Sequence, residues 1–187
     1  GKRGYFMDIW TKYAKVLVEH STEIKKDQVV LIRSTPLGQN LVKRIYEEVL
    51  KKGAHPLVRI NMDGLQDSFF KLATDEQLDY VDEFTLNEYE KVDAIISVAA
   101  PYNLKNLAGT APEKVARRSK ATKCLTEVFL KRASEDKLKW VGCDYPTHAL
   151  AQEAKMSLED YEEFLFRACY LDLDDPVPLA GFAPLPL

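Results

Sequence analysis

The sequence predicts an α/β fold: a mainly parallel sheet of about four or more strands with helices on both faces. Three observations predict it. Short apolar runs rich in β-branched residues recur at Val29–Ile32, His55–Ile60, Ala94–Val98 and Leu138–Cys143, as in strands covered on both faces. The stretches between them carry apolar residues at three- and four-residue spacing, the helical period. Strands that alternate with helices pair in parallel through crossover connections, which are nearly always right-handed. The 187 residues, 46% hydrophobic and 29% charged, suffice for one domain with its own core.

Gly1 to Phe6 precede Met7 and read as a tag or short extension. From Met7, the stripe Ile9, Tyr13, Val16, Leu17 predicts an amphipathic helix to about His20. Lys25-Lys26-Asp27 makes a polar turn into the first strand, and Pro36 ends that strand by holding Thr35 in extended geometry. Leu41, Val42, Ile45, Tyr46 and Val49 give residues 38 to 52 a helical face, and Gly53 stands where a left-handed C-cap belongs. The second strand runs into a turn at residues 61 to 64. Short helices follow over Leu65–Ala73 and Asp75–Val81, with Thr74 capping the second, and residues 85 to 91 add further helical turns. The third strand stops near Pro101. One long helix is expected from Pro112, suited to a first helical position, to Ser134, with Val115, Leu125, Val128 and Phe129 inward. After the fourth strand Pro146 opens a short helix. Ser157-Leu158-Glu159-Asp160 caps the last one, whose buried face is Leu158, Tyr161, Leu165, Ala168 and Cys169. Val177 to Leu187 holds three of the nine prolines and no charge, an extended tail. The domain is therefore residues 7–176, between an extension at 1–6 and a tail at 177–187.

Charge and composition exclude several classes. With 26 Lys and Arg against 29 Asp and Glu, the chain lacks the clustered positive excess of a nucleic-acid binder. No apolar run is long enough to span a membrane, and none resembles a secretory signal. Cys124, Cys143 and Cys169 are odd in number with no Cys-x-x-Cys, which indicates reduced thiols of a cytoplasmic protein. His20, His55 and His148 lie on separate segments, so no local pair announces a metal. Asp172, Asp174 and Asp175 lack the glycine and terminal glutamate of a calcium loop.

In such a sheet ligands approach the carboxyl ends of the strands, here Ser34–Gly38, Asn61–Gly64, Ala99–Asn103 and Cys143–Thr147. Ser-Thr-Pro-Leu-Gly after the first strand is neither a dinucleotide fingerprint nor a phosphate-binding loop. Ser34, Ser97 and Cys143 sit outside any Gly-x-Ser-x-Gly elbow. Cys143 and His148 form a candidate thiol–imidazole pair, for which a packed thiol beside a surface histidine is the favoured alternative. Chemistry read from the residues alone leaves an α/β domain of unassigned role.

Four stretches carry more. Tyr13–Ser21 leading to Val29–Arg33, then Lys52-Gly53-Ala54-His55-Pro56, then Asn103–Arg118 with Leu107–Lys114, resemble successive blocks of one family. The most specific block runs from Trp140 through Tyr145-Pro146-Thr147, Ala151–Ala154 and Met156–Tyr161 to Phe164. Together they resemble the thermophilic metallo-aminopeptidases, the aminopeptidase T and aminopeptidase S group, over most of Met7 to Pro176. The resemblance implies an intracellular, usually dimeric enzyme that releases N-terminal amino acids from peptides. It implies two divalent metal ions, zinc or cobalt, held in the second half of a chain about twice this length. One ion would polarise the scissile carbonyl while a bridging water attacks it, a carboxylate moving the proton.

None of the three histidines falls on a ligand position of the family, so no metal or catalytic residue is carried over to this chain. The expectation is an N-terminal, non-catalytic domain, inactive by itself, whose partners are peptide substrates, a C-terminal catalytic domain and a second copy of the chain; no nucleic acid or membrane is expected. It would roof the active-site cavity and restrict entry to small peptides. Asn61, Asn103 and Tyr145, at strand ends, are the residues expected to line that cavity; turn-forming asparagines and a packed tyrosine are the alternative for each. The tail after Pro176 departs from the family's usual continuation. The competing functions are a stand-alone module binding a small ligand or peptide in the same crevice, and a thiol enzyme using Cys143.

Overall fold

The structure is a computed structural model and describes residues 8–169 and Leu171. Asp8 opens the first helix, α1 (Ile9–Lys15), by accepting the Thr11 amide at 3.0 Å. The helix then widens into a π-turn over Val16–Ser21 instead of continuing regularly to His20. The reason is burial: Val16, Leu17 and Val18 are all inside, and an α-helical period cannot turn three successive side chains toward one core. The displaced carbonyls are satisfied locally, the Thr22 hydroxyl donating to Leu17 O at 2.7 Å.

Strand β1 (Val29–Ser34) leads through a single 3-10 turn, Pro36–Gly38, into α2 (Gln39–Lys51), and Gly53 ends that helix with φ of 72°. Strand β2 (His55–Ile60) is followed by three short helices, α3 (Leu65–Leu72), α4 (Asp75–Asp79) and α5 (Glu83–Lys91). Thr74 caps α4 with a reciprocal box to Gln77. Strand β3 (Ala94–Ala99) precedes α6 (Pro112–Ala121) and α7 (Lys123–Ser134). The single helix expected over this stretch is broken at Thr122, whose hydroxyl donates back to Arg118 O at 3.0 Å. Such back-bonding bends helices, and the two halves pack on different partners, α6 on α4 and α7 on α5. Strand β4 (Lys139–Asp144), α8 (His148–Glu153) and α9 (Leu158–Ala168) complete the order.

All four strands are parallel, in the order β2-β1-β3-β4. The chain steps to one side from β1 to β2, then back across β1 to β3. Right-handed crossovers in opposite directions place their helices on opposite faces. One face carries the larger core, Tyr13, Leu17, Ile32, Ile45, Ile96 and Val141 among its members, with Leu165 and Cys169 from the α9 end. The other carries a smaller cluster of Leu31, Val92, Ile95, Phe129 and Leu138. Each fully buried aliphatic side chain contributes about 1.5–3 kcal/mol, so the first face dominates stability. The second cluster occupies only the N-terminal half of the strands. Beyond it that face turns polar, with Arg33 on β1 in register with Arg59 on β2 and Ser97 on β3.

Among the described residues no helix is long and apolar enough to cross a membrane. The extension, the tail and the Asp172–Asp175 acids lie outside the described residues.

Candidate functional site

The strand order reverses between β1 and β3, and that switch point is where open α/β sheets leave a crevice at their carboxyl edge. A cleft of about 470 Å³ lies there, lined by Thr35 after β1, the segment from Ile60 to Gln66 after β2, and Pro101, Tyr102, Asn103 and Asn106 after β3. Its floor is fixed by backbone and hydroxyl bonds. Asn61 N–H extends the ladder to Ser34 O at 2.9 Å. The Thr35 hydroxyl donates to Ala100 O at 2.5 Å and accepts the Leu37 amide at 3.3 Å, joining the ends of the two strands.

Of the residues expected to line a cavity, Asn61 and Asn103 come together in this cleft. Asn103 also shapes its own turn, its Oδ1 accepting the Lys105 amide at 2.9 Å. Tyr145 stands elsewhere. It is 9% exposed, its ring stacked on Trp10 with centroids 4.8 Å apart and planes at 21°, and its hydroxyl accepts from Asn40 Nδ2 at 3.3 Å.

The thiols are sheltered or unassisted. Cys143 is buried in the larger core, and burial pushes its thiol well above the ordinary value. Cys169 is pushed up to about 11, chiefly by burial. His148 is exposed while Cys143 is buried, so the structure does not join them as a nucleophile and base. Among the described residues no three His, Cys, Asp or Glu side chains group as a metal site.

Two charged groups near the carboxyl edge were not singled out from sequence. Asp144, at the end of β4, accepts no hydrogen bond on its carboxylate among the described residues, and burial raises its carboxyl. Arg33 is half-buried on the central strand and reaches the hydroxyls of Ser97 and Tyr89. An arginine directly after an apolar, β-branched run, still within the strand, is the signal available for it.

Comparison with solved structures places the fold beside wild-type AmpT from Thermus thermophilus, at a TM-score of 0.69 and 21% identity. That alignment covers 86% of this chain and 42% of AmpT, so the chain spans less than half the length of that relative. A periplasmic binding ribose operon repressor protein from Lactobacillus acidophilus aligns at 14% identity, over 71% of this chain and 58% of that one, with a TM-score of 0.30. An alcohol dehydrogenase superfamily protein from Novosphingobium aromaticivorans aligns at 11% identity, over 86% and 47%, with a TM-score of 0.33; neither of these two carries weight. No curated protein matches the chain. Residues 6–179 match the family described as thermophilic metalloprotease (M29). With almost all of its length inside that match, the chain belongs to the thermophilic metalloprotease (M29) family.

Proposed function

We propose that the chain is the non-catalytic, N-terminal α/β lobe of a cytoplasmic two-metal aminopeptidase. In this role it roofs the cavity where N-terminal residues are released and admits only short peptides. The observation that carries this reading is one of coverage: the family match takes in residues 6–179, yet the chain spans 42% of AmpT. The donor chemistry supports it. His20, His55 and His148 stand on the π-turn, β2 and α8, and the thiols of Cys143 and Cys169 are held protonated by burial. The described residues therefore do not fit a zinc or cobalt pair, and the reading assigns those ligands to a catalytic half.

What the lobe contributes is shape and polar contact. The cleft offers amide side chains, Asn61, Asn103, Asn106 and Gln66, for the backbone of a peptide. Association with a second copy of the chain belongs to the same proposal.

The test compares two polypeptides on amino-acid p-nitroanilides with zinc, cobalt or manganese present. This chain is expected to release no p-nitroaniline, and one extended to the length of its relatives is expected to release it. Chelator-sensitive turnover by this chain alone overturns the reading, as does an extended chain that neither binds metal nor hydrolyses.

A further inference from the structure

Among the described residues Arg33 carries a charge that no carboxylate answers. Its Nε and Nη2 donate to the Ser97 hydroxyl at 3.2 and 3.0 Å, and its Nη1 donates to the Tyr89 hydroxyl at 2.7 Å. The guanidinium carbon lies 5.8 Å from the centre of the Tyr89 ring. Hydroxyls orient a guanidinium without neutralising it, and three such bonds leave two of its five N–H donors free. The neighbouring Arg59, in register on β2, is paired with Glu88 of α5; Arg33 has no such partner among the described ion pairs. A half-buried cation with only neutral partners is a costly way to tie strands to a helix, and a neutral side chain would serve that purpose as well.

The partners of Arg33 are themselves held. Tyr89 O and the nearby Val92 O both accept from Arg132 Nη1, at 2.8 and 2.7 Å, and the Tyr89 ring meets Phe129 edge-on at 6.3 Å. The guanidinium is thus positioned before any ligand arrives, which lowers the cost of binding one.

Arg33 is not among the residues that line the cleft, but it lies behind one of them on the same face of the sheet. Side chains alternate along a strand, so Arg33 shares its face with Thr35, one pleat or ~7 Å further along, and Arg59 shares it with Asn61. Thr35 and Asn61 line the cleft. All of its polar lining groups but one are neutral hydrogen-bonders; Asp63 is the one carboxylate in the lining.

We propose that Arg33 receives the terminal carboxylate of a short peptide entering this cleft, with Ser97 and Tyr89 as its positioning residues. A planar two-oxygen anion matches the free donors of a guanidinium, and an amide or ester does not. The proposal rests on the peptide-admitting role above, and it adds a reason for preferring short peptides: their carboxyl end has to reach Arg33.

The experiment is a titration of the isotope-labelled full chain, read by nuclear magnetic resonance at the arginine Nε–H and backbone amide signals. The probes are trialanine, trialanine amide, acetate and inorganic phosphate. Trialanine is expected to shift the Arg33 and Ser97 signals and to bind about tenfold or more tightly than its amide, the factor a charge-assisted pair supplies. Arg33→Met is expected to abolish that preference, Arg33→Lys to retain part of it, and Asp63→Asn to strengthen binding. The amide spectra and thermal unfolding of each variant report whether it is folded.

Equal binding of acid and amide, binding unaffected by Arg33→Met, or no binding of trialanine overturns the proposal. So does acetate binding that the peptide does not improve, or phosphate binding more tightly than either carboxylate. Failure of the non-catalytic reading shows as metal-dependent turnover in the p-nitroanilide assay, whereas these titrations are run with chelator and without added metal, so the two failures are distinguishable.

Discussion

The hydroxyl of Ser34 fills the space where a side chain on Gly38 would have to stand. A Cβ built on Gly38 would lie 2.3 Å from Ser34 Oγ, 3.2 Å from Ala100 Cβ and 3.3 Å from Val98 Cγ1. Ser34 Oγ itself is buried with no hydrogen-bond partner among the described residues. The turn from β1 into α2 is therefore closed by contact between a serine and a bare backbone, at the edge that bears the cleft.

Gly38→Ala is expected to destabilise the chain by about 1–3 kcal/mol, the usual cost of overpacking. Ser34→Ala is expected to change stability by less than about 1 kcal/mol, since it removes a polar atom that has no partner to lose. Combined, the two should cost less than their sum, because the nearest clash is gone. Urea unfolding of the four chains measures this coupling, and strict additivity would show that the contact is not what excludes a side chain at residue 38.

Glu48 is 2% exposed and is paired with Lys15 at 3.3 Å and Lys51 at 2.9 Å. Both lysines reach solvent, so they tolerate the loss of Glu48 better than Glu48 tolerates the loss of both. Lys15→Met with Lys51→Met is expected to cost about 3–5 kcal/mol, the cost of stranding a buried charge, while Glu48→Leu stays within about 1–2 kcal/mol of the parent. Chemical denaturation distinguishes the two, and equal losses would contradict the asymmetry.

Asp144 sets a pH dependence. Burial raises its carboxyl above the usual 3.8, with no partner among the described residues to offset it, so the folded chain binds a proton at pH values where the unfolded chain has released it. Its contribution to stability therefore falls as pH rises through that interval and is unfavourable at neutrality. Asp144→Asn is expected to raise Tm at pH 7 by an amount worth less than about 1 kcal/mol, because solvent screens a partly exposed carboxylate, and the gain should vanish below the usual carboxyl range. Thermal unfolding from pH 3 to 8 checks it, and a gain independent of pH would contradict the cause given.

The three thiols should separate by reactivity. Cys124 is exposed, and Cys143 and Cys169 are buried with their ionisation suppressed. A thiol reagent at neutral pH is expected to label Cys124 quickly and the other two only on unfolding. Rapid labelling of Cys143 in the folded chain would revive a thiol enzyme.

What could be read from the sequence was largely what is local. The four strands, the Thr74 and Ser157 caps and the Gly53 turn depend on a few neighbouring residues, and all are present. The π-turn at Val16–Ser21 and the break at Thr122 are set by what packs against each segment, which helical periodicity does not encode. The same division runs through the site. Asn61 and Asn103 follow strands directly and meet in the cleft, whereas Tyr145 is placed by Trp10, far away in sequence. Arg33 was hidden by reading its strand as covered on both faces; it is half-buried because the apolar cluster on its side stops short of it.

Zinc binding at equilibrium tests the central claim most directly, by counting the ions retained per chain after dialysis against the metal and then against buffer. The chain is expected to retain no tightly bound pair, since its histidines stand apart and its buried thiols stay protonated. Two ions retained per chain, released by mutating side chains within residues 8–169, would contradict it.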